Sequence, residues 1–348
     1  MKLSAEIPRS ENQSASREQS VIMATTVSAV LAPSRRFVRD ALARGIAVLL
    51  YLVVLIVIFS VIAPSFLSGG TLSAVLDLTS PLLVVSGAMT MCLITAEVDL
   101  SVAGVVGLSS TVTALLLLKG EPWPVAVVAA VAAGGLVGVI NGVLTARLVG
   151  IIPLFPSFLP TLAMQWVCIG IAWAMEPSQE AITISNKTFA GLFGGLLPLA
   201  YAIVLVALIQ VVLSRSALGY RIFAVGSNRS AARLVGINVA RTKAAVLAVS
   251  GVLTGFAGVI MAGYFQGGYA NVAQGIELDA IAAAVIGGTA LFGGRGNALG
   301  TLLGVLVLAV LDTGLLLLQV SPAIQLAARG AIVILAVATD LYIRRLVG

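Results

Sequence analysis

Apolar runs mostly near 20 residues long alternate with short polar connectors through most of this chain. They lie near residues 45–63, 72–95, 100–118, 124–146, 157–176, 197–214, 244–263, 278–293, 299–318 and 323–342. A helix needs about 20 apolar residues to cross about 30 Å of hydrocarbon. None of the runs shows the roughly 10-residue alternation of a membrane β-barrel. The pattern predicts an all-α polytopic membrane protein of about ten transmembrane helices. Residues 1–44 break it, being Ser-rich, mixed in charge and without a strong period. They read as a cytoplasmic, disordered tail, loosely helical at most near 21–32. The first strong apolar run is too long for the core of a cleavable signal peptide. Residues 45–348 then form the membrane domain.

Composition agrees, with 59% hydrophobic and only 10% charged residues, where a soluble domain carries about 25% charged. The distribution of charge fixes a topology. With the amino terminus inside, seventeen of the twenty basic residues fall in cytoplasmic segments, as the positive-inside rule requires. Lys119 and Lys187 fall outside, and Arg329 lies within the last run. Both termini are expected in the cytoplasm, with the chain spanning a bacterial inner membrane. The same bookkeeping explains the basic loops without nucleic acid as a partner. Cys92 and Cys168 lie inside apolar runs and suit buried packing, and His is absent. The residues offer no metal site and no cofactor site.

One connector differs from the rest. Residues 214–243 carry Arg215, Arg221, Arg229, Arg233, Arg241 and Lys243 and no acid. Within them a short helix is expected from Asn228 to about Val235, capped by Ser227 or Asn228 and stopped at Gly236. Two turns are marginal alone, so docking on a partner would stabilise it. Ala231 and Ala232 would admit a close backbone, and Arg229 and Arg233 would meet acids or carbonyls there. An ordinary connector made basic by topology is the other reading.

A weak internal repeat is also visible. Asp99-Leu100-Ser101 opens one small, apolar run and Glu277-Leu278-Asp279 opens another. One run later in each half comes a glycine ladder: Gly134, Gly138, Gly142, and then Gly296, Gly300, Gly304. The two halves would run in opposite directions, as in many transporters. Small residues also recur in any packed membrane bundle.

The segment SAARLVG at 230–236 matches the E-A-A-x-x-x-G signature of ATP-binding-cassette importer permeases, with Ser230 in place of the acid. AVGSNRSAARLVGINVARTKAAVLAVSGVLTGFAGVI and ELDAIAAAVIGGTALFGGRGNALGTLLG closely resemble the ribose-type monosaccharide permeases. So do DLSVAGVVGLSS and LVGVINGVLTARLVGIIP. The resemblance covers most of the chain from about residue 45. It implies a transport subunit without enzymatic activity, for a monosaccharide or related polyol. It also implies separate ATPase subunits, a periplasmic solute-binding protein and a second permease copy or paralogue. The coupling helix that seats in the ATPase would fall on Asn228, Arg229, Ser230, Ala231, Ala232, Arg233 and Gly236. Two departures stand out. Ala96-Glu97-Val98-Asp99 replaces a Gly-Gly-Ile-Asp-like run, and Arg229-Ser230 replaces two common acids.

Charges in the bilayer interior should face a cavity or a partner. Glu97, Asp99, Ser101, Asn141 and Gln165 are the candidate lining of a substrate pathway. For Glu97 and Asp99, capping of the third span is the competing role, and the same dipole argument covers Glu277 and Asp279. Asp77 and Asp312 suit interhelical hydrogen bonds. There is no G-x-x-x-x-G-K-[ST] loop and no Gly-Lys pair, so ATP is not bound here by that route. Permeases for nucleosides or branched-chain amino acids share the architecture. A secondary transporter is disfavoured by the lack of His and the scarcity of mid-span acids.

Overall fold

The structure is a computed structural model that describes residues 35–151, 158–176 and 181–347. Of the expected tail at 1–44, residues 1–34 lie outside the described residues, as do the side chains of Arg344 and Arg345, and 35–44 are helical where disorder was expected. The chain divides into two units, Met1–Arg44 and Gly45–Gly348.

The helices are α1 (Arg35–Ile62), α2 (Gly69–Ile94), α3 (Val102–Leu118), α4 (Trp123–Ile151) and α5 (Phe158–Met175), then α6 (Lys187–Phe193) and α7 (Leu197–Arg215). After them come α8 (Ala217–Ser227), α9 (Arg229–Leu234), α10 (Val239–Phe265), α11 (Ile276–Ile286), α12 (Ala298–Leu317) and α13 (Pro322–Val347). Strands β1 (Ile182–Thr183) and β2 (Gly267–Gly268) pair antiparallel, Ile182 opposite Gly268. Among the described residues, seven helices are long and apolar enough to cross a membrane: α1 from Gly45, α2, α4 as far as Arg147, α5, α7, α10 and α12. The protein is a multi-pass helical membrane protein.

Two expected spans come out short. Helix α3 has 17 residues, about 25 Å of rise. Helix α11 has 11, about 16 Å, roughly half the hydrocarbon thickness. The run at 278–293 reads as continuous because Gly and Ala raise its apolarity. Gly287 and Gly288 end the helix, Gly288 at φ 90°, a conformation that glycine adopts without strain. The Gly-Gly-Arg-Gly segment after it is a tight turn, with Gly293 and Gly294 also at positive φ.

The glycine ladder on α4 sets how closely two long helices approach. A Cβ on Gly138 would lie 2.5 Å from the Leu247 carbonyl of α10, and one on Gly142 2.7 Å from that of Ala244. Gly134 meets Gly251 and Gly255 the same way. On α12, Gly300 and Gly304 meet the Gly287 and Ala283 carbonyls. Gly296 precedes that helix and packs beside Thr289 and Ile94 instead.

Leu78 and Leu82 of α2 share a cavity wall with Met261 and Tyr264 near the end of α10. Glu97, just past α2, meets Lys243 near the start of α10. The two helices therefore run antiparallel, and each is followed by a short helix, α3 or α11. Helix α4 then packs on α10, and α12 packs on α2, where the Thr90 and Thr301 hydroxyls bond at 2.6 Å.

Candidate functional site

Helix α9 forms because its ends are strongly marked. The Asn228 carboxamide accepts from the amides of Ser230 and Ala231, each at 3.0 Å, and Gly236 turns the chain at φ 81°. Arg229, Ser230, Ala231, Arg233 and Gly236 are exposed, and Leu234 and Val235 are exposed apolar groups at 89% and 71%. Ala232 faces the other way. It is buried against Val225 of α8 and Val239 of α10, so it does not admit a foreign backbone. Helix α8, unforeseen in the sequence, braces this side, with Ser216 capping it through the Gly219 amide. A cavity of about 590 Å³ opens beside Gly236, lined by Arg221 and Arg241.

Arg229 does not point outward to a partner. Its Nη2 donates to the Ala96 carbonyl at 3.1 Å and to Glu97 Oε1 at 3.4 Å. The same Glu97 oxygen accepts from Lys243 Nζ. Glu97 and Lys243 are each only 1% exposed, while Arg229 is 42% exposed. The α2–α3 junction is thus buried beneath the basic loop and clamped by it. Gly226 permits the approach, since a Cβ there would meet the Ile94 backbone and, at 2.7 Å, the Gly294 amide.

Two residues on, Asp99 sits in a second buried set. Its Oδ1 accepts from the Ser101 amide at 3.1 Å and the Ser101 hydroxyl at 2.6 Å; its Oδ2 accepts from Ser250 at 2.8 Å. Asn141 Nδ2 donates to the Ser101 hydroxyl at 2.8 Å. Asp99 braces the turn into α3, while Ser101 occupies the N-cap position without a side-chain cap bond. Gln165 makes none of these bonds. It packs beside Gly104, one turn past Ser101, and donates from Nε2 to Glu277 Oε1 at 3.4 Å. The five candidate pathway residues therefore fall into three bonded sets: Glu97 under the loop, Asp99 with Ser101 and Asn141, and Gln165 with Glu277.

Glu277 Oε2 accepts from the Gly275 amide at 3.1 Å, as an acid at a helix start should. Asp279 instead pairs with Arg329 at 3.1 Å, and Arg329 also bonds Asp312 at 2.8 Å. The described residues hold no grouping suited to a metal ion.

A family profile described as "Branched-chain amino acid transport system / permease component" matches residues 71–337. The chain belongs to that family. The match takes in every residue of the sites above. The ribose import permease RbsC of Escherichia coli strain K12 is 35% identical to this permease over 301 residues, 84% of this chain and 92% of the relative. The L-arabinose ABC transporter permease AraH of Azospirillum brasilense is 36% identical over 304 residues, 85% and 87% of the two chains. The fructose import permease FrcC of Rhizobium meliloti is 32% identical over 312 residues, 85% of each. No solved structure matches the permease.

Reading the sequence alone missed Lys243 and Ser250 as partners and Arg329 as the link between two acids. One signal was present. Lys243, Asp312 and Arg329 stand in or beside apolar helices, where an uncompensated charge is costly, so each required an opposite charge nearby.

Proposed function

We propose that this chain is the membrane subunit of an ATP-binding-cassette importer that passes a monosaccharide or related polyol across the inner membrane. About ten passes with both termini cytoplasmic are supported by the placement of the basic residues. ATP hydrolysis belongs to a separate subunit, in keeping with the missing phosphate loop. A periplasmic binding protein delivers the sugar, and a second permease, identical or paralogous, completes the path.

The observation that carries this reading is the capped helix α9, exposed on one face and tied through Arg229 to the buried α2–α3 junction. When the ATPase dimer closes on α9, the pull reaches Glu97 through a short chain of bonds. From there it reaches Asp99 and the start of α3. Glu97 and Asp99 then act by transmitting movement: both Asp99 oxygens and Glu97 Oε1 are engaged, while Glu97 Oε2 is buried without a partner among the described residues. Asn141, whose Oδ1 lacks a partner, and Gln165 remain the pathway members of the set. The relatives named for ribose, arabinose and fructose support a sugar over a branched-chain amino acid or nucleoside.

Inverted vesicles cannot test import, so the test uses right-side-out vesicles carrying the whole importer. Vanadate-sensitive uptake of labelled ribose, arabinose or fructose is expected. Uptake abolished by an uncoupler and indifferent to vanadate would instead mark a secondary carrier.

A further inference from the structure

A cavity of about 240 Å³ lies between α2, the end of α10, the start of α11, and α12 with α13. That equals about eight waters of liquid volume, room for one monosaccharide. Its polar wall is built from Asp279, Asp312, Thr313, Gln325 and Arg329. Arg329 Nε donates to Asp312 Oδ1, and its Nη1 to Asp279 Oδ2. Each carboxylate therefore keeps one oxygen with no bond from the described residues, and so does Arg329 Nη2. Gln325 donates from Nε2 to the Val320 carbonyl at 2.8 Å, leaving its Oε1 to accept. Thr313 is 4% exposed, lines the cavity, and its hydroxyl has no hydrogen-bond partner among the described residues.

The cluster joins two acids to one base, leaves acceptors and donors spare, and faces a cavity. Pro81, Leu82, Met261 and Ile276 also line it, giving apolar surface suited to the C–H face of a sugar ring. The net charge of −1 from these three ionised groups repels an anion. An apolar solute would leave Thr313 and the spare oxygens unpaired, which is costly in a buried place. We propose that this cavity is a transient binding site for a neutral, polyhydroxylated solute on its way through the permease. Hydroxyl groups donate to Asp279 and Asp312 and accept from Arg329, and Thr313 bonds one more. The proposal rests on the sugar-importer reading above and locates the contact that reading lacks.

The test uses the complete importer in vesicles with D-ribose, L-arabinose and D-fructose. Thr313→Val removes only the unpartnered hydroxyl. It should lower the maximal uptake rate roughly three- to tenfold, the worth of one hydrogen bond. KM, set by the binding protein, should hold. A Gln325→Cys importer, with the new thiol at a half-buried position lining the cavity, adds a readout that a structural role would not move. The transported sugar should slow maleimide labelling at this position, and an amino acid should not; Cys92 and Cys168 are buried and add little background. Unchanged uptake in Thr313→Val, or labelling indifferent to the sugar, overturns the site while wild-type uptake keeps the importer reading intact. Wild-type vesicles that carry none of the three sugars overturn both.

Discussion

Two charged clusters sit inside this bundle, and they are built on opposite plans. Glu97 and Lys243 are sealed at 1% exposure, each meeting the other, with Arg229 closing the rim. Asp279, Asp312 and Arg329 are 20–33% exposed on their side chains and face a cavity with bonding capacity left over. A sealed cluster, one acid held by two bases, holds backbone segments together and transmits force between them. A half-satisfied cluster beside open space is suited to meet a solute. The difference predicts that equivalent edits to the two will separate stability from transport.

The largest effect is expected at the sealed pair. Lys243→Met leaves a carboxylate buried without its main partner, which costs about 3–5 kcal/mol. Thermal unfolding in detergent should show it as a marked loss of folded protein. Replacing both groups, Glu97→Gln with Lys243→Met, should recover most of that loss, because the penalty belongs to the orphaned charge. Equal losses in the single and double variants would mean that the pair does not hold the junction.

The same kind of edit in the open cluster should be milder. Asp312→Asn keeps a carbonyl oxygen for Arg329 and leaves Asp279 in place. A stability cost of about 1 kcal/mol is expected, together with a larger fall in sugar uptake. A cost matching that of Lys243→Met would make the cluster a structural lock and erase the contrast.

How far these clusters could be foreseen follows from the range of the signals. The cap at Asn228 and the stop at Gly236 are local, spanning a few residues, and α9 forms between them. The α4 ladder is local too, because four-residue spacing keeps Gly134, Gly138 and Gly142 on one helix face. The end of α11 had a signal in Gly287-Gly288, but overall apolarity outweighed it when the run was read as one span. The charge pairs had no such local mark. Glu97 and Lys243 lie 146 residues apart, and Arg329 lies 50 from Asp279. Their need for partners was legible from burial cost, whereas the choice of partner came only from the fold. The direction of Arg229 was misjudged for a related reason. A basic residue on an exposed helix suggests an external acid, and the acid that it meets is supplied by the departure at Glu97 in its own chain.

Arg229 bridges the sealed cluster and the surface, so its removal should divide the two properties. Arg229→Ala breaks a bond at a partly exposed rim, worth roughly 0–1 kcal/mol, while Lys243 still neutralises Glu97. Detergent stability should barely change. ATP hydrolysis by the assembled importer should continue, but sugar moved per ATP should fall several-fold as the link from α9 to the α2–α3 junction slackens. Uptake and hydrolysis measured on the same vesicles give the ratio. A wild-type ratio would leave α9 as a docking element without a role in transmission.

The smallest effect on stability is expected at Thr313, and there the contrast becomes sharpest. Its hydroxyl is buried and makes no bond with the described residues, so a valine of similar shape removes a desolvated polar group and creates no cavity. Folding should be unaffected or favoured by about 1 kcal/mol or less. A residue whose loss leaves the fold as stable or more so has no structural reason to be polar. If unfolding of Thr313→Val is unchanged while maximal uptake falls, the hydroxyl serves the solute. If stability drops instead, the hydroxyl has a protein partner in the folded state, and the open cluster belongs with the sealed one.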